Sequence, residues 1–181
     1  MAAKEPFASV RARLRTVRLA RLKIPEDPGA ALVEAVTCGE AAKDAAAHGQ
    51  WKRALSLCRQ IARLHRLFPE DRLLAAALAD AVLHTWPLAR LRCGRARQLL
   101  ELLDAAVESH PHDLDLACSL HEAIASLAAS LACESAFSDA HQRRALARLG
   151  LTYLHTLCSR FPTQRAFSHT LETLVKDGLG K

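Results

Sequence analysis

The chain has 181 residues, half of them hydrophobic and only 4% aromatic, which is long enough for a single domain with a sizeable core. Alanine, leucine and arginine dominate, a composition that favours helix and starves strands of β-branched and aromatic residues. The longest purely apolar run, Leu73 to Ala79, falls far short of the roughly 20 residues of a membrane span, and the net charge of +6 is concentrated at one end.

That end is residues 1–24, where Lys4, Arg11, Arg13, Arg15, Arg18, Arg21 and Lys23 face one acid, Glu5, a net +6. The remaining 157 residues carry 18 basic and 18 acidic groups, with a second basic focus at Arg90, Arg92, Arg95 and Arg97. Periodicity predicts a first helix over 7–23, with Phe7, Val10, Leu14 and Val17 on one stripe and Arg11, Arg15 and Arg18 on the other. Such a helix can bind phosphates or an anionic membrane face, or serve as an organellar presequence. The reading preferred here is a helix docked through its apolar stripe with its arginines solvated. A signal-peptide pattern is absent from the sequence, so a cytoplasmic location is expected. The domain plan is then a basic amphipathic helix over 1–24 and a helical-repeat domain over 25–181.

Further helices are predicted over 28–47, 50–67, 71–85, 88–109, 113–133, 139–160 and 163–177, about eight in all. Their register is read from Pro69, Pro111 and Pro162, preceded by Phe68, His110 and Phe161. Fifteen residues before each proline stands alanine (Ala54, Ala96, Ala147); eleven before stand Cys58, Leu100 and Leu151. Eight before stand Ile61, Leu103 and Leu154, and five before stand Leu64, Ala106 and Leu157. Steps of four, three and three trace one face of a helix. Nine residues after each proline come Leu78, Leu120 and Leu171, and thirteen after come Val82, Ile124 and Val175. Asp71, Asp113, Thr163 and Ser138 stand where N-caps are needed, and Gly178 where the last helix can close. A weaker copy surrounds Ile24-Pro25. The unit is helix, proline turn, helix, and the three Leu78-type positions are expected to be buried equivalents.

Six cysteines, 38, 58, 93, 118, 133 and 158, form no CxxC pair and are read as reduced, mostly core residues. His110, His112, Asp113, Cys118, His121 and Glu122 form the one cluster with metal-ligand character. The preferred reading gives His110 the slot of Phe68 and Phe161 and makes Asp113 a cap, so no metal site is assigned. His155 and Cys158 are read as packing and surface. No GxSxG, phosphate-binding glycine loop or HExxH appears, so no catalytic residue and no cofactor are expected.

The segment Ala46-Ala47-His48-Gly49-Gln50-Trp51-Lys52-Arg53-Ala54-Leu55 resembles the turn between the two helices of a tetratricopeptide repeat. Pro69 matches the proline that closes such a repeat, and Leu78 with Val82 its next apolar pair. The chain departs from that family in its longer second helix, its spacing of 42 to 51 residues between prolines, and His121 and Glu172 where Ala79 supplies the small residue once. The resemblance implies an all-α fold of antiparallel helix pairs stacked as a short right-handed α-solenoid. It implies a groove lined by the first helix of each pair, at Ala76, Asp80 and Leu83, then Cys118, Glu122 and Ala125, then His169, Thr173 and Lys176. The expected function is non-catalytic binding of a protein or peptide in that groove. The alternative is nucleic-acid binding through Arg11, Arg13, Arg15, Arg18 and Arg21, opposed by the scarcity of aromatics for base stacking. A metal-dependent enzyme at the His110 to Glu122 cluster comes third.

Overall fold

A computed structural model describes residues 7–89, 92–132 and 139–176, except the side chains of 7–9, 11 and 93. Arg90, Cys133, Ser138 and Gly178 lie outside the described residues, as do the side chains of Phe7, Arg11 and Cys93. The structure is all-α, with eight α-helices and, among the described residues, no strand: α1 (Phe7–Arg21), α2 (Pro28–Ala47), α3 (Trp51–Leu67), α4 (Arg72–Thr85), α5 (Cys93–Ser109), α6 (Leu114–Ala132), α7 (Ala140–Arg160) and α8 (Arg165–Lys176). The fifth helix begins later than the predicted residue 88, because Trp86–Leu88 forms a short 3-10 turn around Pro87. The chain divides into two compact units, Met1–Thr85 and Trp86–Lys181.

In the first unit α2 packs against α1, α3 and α4, and α3 packs against α4. Asp27 caps α2 through its carboxylate, which accepts from the Gly29 amide at 2.9 Å, with Pro28 opening the helix. The same helix closes at Gly49, whose φ of +68° only glycine adopts without strain. There the Gln50 amide reaches Ala45 O at 2.8 Å and the Gly49 amide reaches Ala46 O at 2.9 Å, which satisfies two terminal carbonyls in a Schellman closure. Alanine-rich α2 and leucine-rich α3 and α4 meet through fully buried Ala35, Cys38, Ala42, Ala54, Ile61, Leu74 and Leu78.

The three proline turns share one geometry. Each has four residues, and the residue before proline has φ/ψ of −134/66° at Phe68, −131/67° at His110 and −126/65° at Phe161. Each closes with an amide to a carbonyl three residues back: Asp71 to Phe68 at 3.1 Å, Asp113 to His110 at 3.0 Å, Gln164 to Phe161 at 3.0 Å. Proline forces the preceding residue out of the helical region, so each helix stops at the same point. Asp71 and Asp113 then cap the next helix, accepting from Leu73 and Asp115 at 2.9 and 3.0 Å. In the third copy the helix starts only at Arg165, so Thr163 stays in the turn ahead of it. α7 is capped by Asp139, which accepts from the amides of His141 and Gln142.

In the second unit α5 packs on α6 and α7, α6 on α7 and α8, and α7 on α8. Ala96, Leu100, Leu103, Ala147, Leu154, Leu120 and Ile124 are buried as the proline register predicts. The last pair departs from it. Leu171 and Leu151 are only half-buried and Val175 is 56% exposed, while Phe167 and Leu174 enter the core. No further described helix covers the outer side of α8, so its buried face narrows to the side that meets α6 and α7. α7 comes close through Gly150, where a Cβ would meet Ile124 at 3.4 Å. α6 corrects the expectation about membrane-length segments: at 19 residues and a mean hydropathy of 1.2 it is long and apolar enough to cross a membrane, and half of that stretch is buried inside the unit. Alanine, serine and cysteine between its leucines keep the average high without a purely apolar run.

Candidate functional site

The nine predicted groove residues fall three in the first unit and six in the second. On α4, Ala76 and Leu83 are half-buried and Asp80 is exposed. Asp80 binds Lys43 of α2 at 2.9 Å, and Lys43 also meets Glu40 at 3.2 Å. The hydrogen bond that Lys43 donates to Asp80 raises the Lys43 pKa above its ordinary value, with Glu40 adding to it. His84 stands beside Asp80 at 3.3 Å and bonds its main-chain carbonyl. α2 and α4 are separated by one helix and two short turns, so they run parallel and in contact. Seven residues before the Lys43–Asp80 pair on each helix come Val36 and Leu73, 51% and 56% exposed. Seven residues is two helical turns, which puts both on the face that carries the ion pair.

In the second unit Cys118, Glu122, His169, Thr173 and Lys176 are exposed and Ala125 is half-buried. Partial burial pushes the Cys118 thiol pKa up, and Asp115 pushes it in the same direction. Lys176 pairs with Glu172 at 3.7 Å, and the Thr173 hydroxyl donates to His169 O at 2.9 Å. α6 and α8 are joined by His121, whose Nε2 lies 2.8 Å from the Thr170 hydroxyl and whose ring lies 4.8 Å from that of Phe167. Desolvation lowers the His121 pKa, against an opposing hydrogen bond with the Ala166 backbone and the charge of Glu122. The His110 to Glu122 stretch is thereby dispersed: Asp113 caps α6, His121 turns to α8, and Cys118 and Glu122 face outward. Among the described residues no three His, Cys, Asp or Glu side chains gather as a metal site. His155 is exposed and Cys158 half-buried.

The basic helix docks, and the expectation that its arginines stay solvated is corrected at Arg21, which is half-buried, while Arg18 stays exposed although ion-paired. Leu14 is buried at 7% exposure, with Val10 and Val17 half-buried. Arg21 Nε lies 2.6 Å from Glu34 Oε2 and Arg18 Nε lies 3.5 Å from Oε1. Gln60 of α3 donates to the same carboxylate and accepts from Arg18. Glu34 is only 2% exposed, so the two arginines compensate a buried charge. Arg13 and Arg15 remain exposed.

The chain matches no known protein family, no curated protein and no solved structure. Its site therefore rests on its own residues, and two features escaped sequence reasoning. Glu34 could have been found: it stands amid the buried alanines of α2, where an unpaired carboxylate is costly, beside a helix rich in arginine. The other is a cleft between α5 and α7, of about 520 Å³ and lined by Arg97, Ala145, Arg148 and Leu149 among others. No periodicity announces it, because it arises from where two non-consecutive helices fail to fill the space between them. Among the described cysteines, Cys38 and Cys58 are buried as expected of core thiols, Cys158 is half-buried and Cys118 is exposed.

Proposed function

We propose that this chain is a non-catalytic protein-recognition module, its helix pairs stacked in the manner of a short right-handed tetratricopeptide-like solenoid. The first helix of each pair lines a groove that takes a peptide or helix from a protein partner. The observation that carries this reading is the surface of α2 and α4. Val36 and Leu73 remain more than half exposed, two helical turns from the Lys43–Asp80 pair along the same face, although both helices bury an apolar face elsewhere. Apolar side chains at matched positions on adjacent helices, bordered by an ion pair, suit a partner with an apolar anchor and a polar flank. Small Ala76 and Ala125 leave room for such an anchor. Small-residue spacing keeps affinity dependent on shape, with salt a modest influence.

The test is affinity capture with mass spectrometry, followed by binding measurements on Ala76→Arg, Ala125→Arg and Val36→Glu/Leu73→Glu. Each variant should lose the captured partner while circular dichroism stays that of the parent. Binding that survives all three, yet vanishes when exposed Arg13 and Arg15 become Glu, would transfer the function to the basic helix and to an anionic ligand such as a nucleic acid. Arg18 is unsuited to that control because it contacts Glu34.

A further inference from the structure

We infer that the cleft between α5 and α7 is a second docking site, one that accepts an acidic amphipathic helix from a protein partner. It lies on helices that the groove proposed above does not use. The cleft holds about 520 Å³, with Ala145, Leu149 and Gly94 contributing apolar surface and Arg97, Arg148 and Thr152 polar groups. It is open at Gly94, where an added Cβ would meet nothing within 4 Å. A second depression of about 180 Å³, lined by His141, Arg144, Ala145 and Arg148, shares Ala145 and Arg148 with it. The two adjoin at Ala145 and Arg148, with basic side chains along that edge.

Among the described residues the charge of that side is only partly cancelled. Arg97 is paired with Glu101 at 2.8 Å. Arg144 and Arg148 have no acidic partner among the described residues, and the carboxylate of Asp139 is taken up by the first amides of α7. His141, Arg144 and Arg148 recur at i, i+3 and i+7 on α7, a row that faces one side of any occupant. A small anion would leave the apolar part unused. A nucleic acid would need stacking side chains, and none lines the cleft. A membrane surface meets protruding apolar groups, whereas these line a concave space between two helices.

A helix fits the dimensions. From Gln142 to Thr152 the lining of α7 spans eleven residues, about 15 Å at the helical rise, or roughly three turns of an occupant. Apolar anchors at i, i+3 or i+4, and i+7 would enter the cleft, and Asp or Glu on the flank would meet Arg144 and Arg148. The rim arginines would speed association and make it sensitive to salt.

The probe is a synthetic 14-residue helical peptide with leucines at those spacings and glutamates on the flanks, titrated into the ¹⁵N-labelled full chain and followed by NMR. The expected result is saturable shifts at Gly94, Ala145 and Leu149, and binding at least about tenfold weaker in Arg144→Glu/Arg148→Glu and in Ala145→Glu. These three positions are solvent-exposed, so the variants should fold; unchanged circular dichroism confirms it. A peptide with lysine in place of glutamate should not bind. The inference is overturned by no saturation below about 1 mM or by equal binding of the lysine peptide. It is overturned equally by shifts confined to α2, α4, α6 and α8, or by the same cleft shifts with phosphatidylglycerol vesicles and none with the peptide. Failure here leaves the α2–α4 groove untouched, because that reading is judged on Ala76, Val36 and Leu73.

Discussion

Replacing Arg21 with alanine should destabilise the first unit by about 2 to 3 kcal/mol. Removing one partner of a buried ion pair commonly costs about 3 to 5 kcal/mol, because the other charge is left buried without compensation. The Glu34 side chain is 3% exposed, Arg21 is 19% exposed, and their contact is 2.6 Å. Two features reduce the loss. Arg18, 45% exposed and 3.5 Å away, remains to compensate in part, and Gln60 still donates to the carboxylate. Glu34→Ala should cost less, about 1 to 2 kcal/mol, since Arg21 is near enough to the surface to regain water. The double variant should then be little worse than Glu34→Ala alone, giving a coupling energy above about 1 kcal/mol in a double-mutant cycle. Urea unfolding of the full chain, followed by circular dichroism and tryptophan fluorescence, measures all four proteins. A cost below about 0.5 kcal/mol for Arg21→Ala, the level of an exposed ion pair, would refute the argument that α1 is fastened through a buried charge.

Leu120→Ala and Leu78→Ala should each cost about 2 to 4 kcal/mol in the same assay, while half-buried Leu171→Ala should cost about 1 kcal/mol; equal losses at all three would mean that the last helix pair is as covered as the others. His121 has a pKa lowered from 6.5 by desolvation, so the unfolded chain takes up its proton more readily than the folded one. The stability this contributes is present above the ordinary pKa and is lost as pH falls through it. Thermal melts between pH 7.5 and 5.5 should therefore fall less steeply for His121→Gln than for the parent. Burial pushes the thiols of Cys38 and Cys58 up to about 12 and about 11, so N-ethylmaleimide at pH 8 should modify exposed Cys118 in the native protein and Cys38 and Cys58 only in denaturant. Peptide mass mapping reads this directly, and native labelling of Cys38 would show that the α2 core opens.

Much of the fold is legible in the amino-acid sequence. Proline halts a helix at the preceding residue, and an aspartate two residues later caps the next, so Pro69 and Pro111 defined two turns and the helices on either side. Steps of three and four then placed Ala54, Ile61, Leu78 and Val82, and their counterparts Ala96, Leu103, Leu120 and Ile124, on buried faces. These are local rules, set within one or two helical turns. They weakened at the last pair, where Leu171 and Val175 keep the pattern but no described helix covers them.

The sequence by itself determined the helices, their turns and most of the faces they bury, because each follows from propensity, capping and period along the chain. Only the tertiary structure decided which charges are used internally and which surfaces remain open. Arg18 and Arg21 look like any solvated arginines until α1 lies on α2 and finds Glu34, thirteen residues beyond Arg21. Val36 and Leu73 become a shared surface only when α2 and α4 run side by side. The cleft beside Arg148 exists only where α5 and α7 come together and leave space between Gly94 and Ala145. Each depends on distances between residues far apart in the chain, which periodicity within a single helix does not encode.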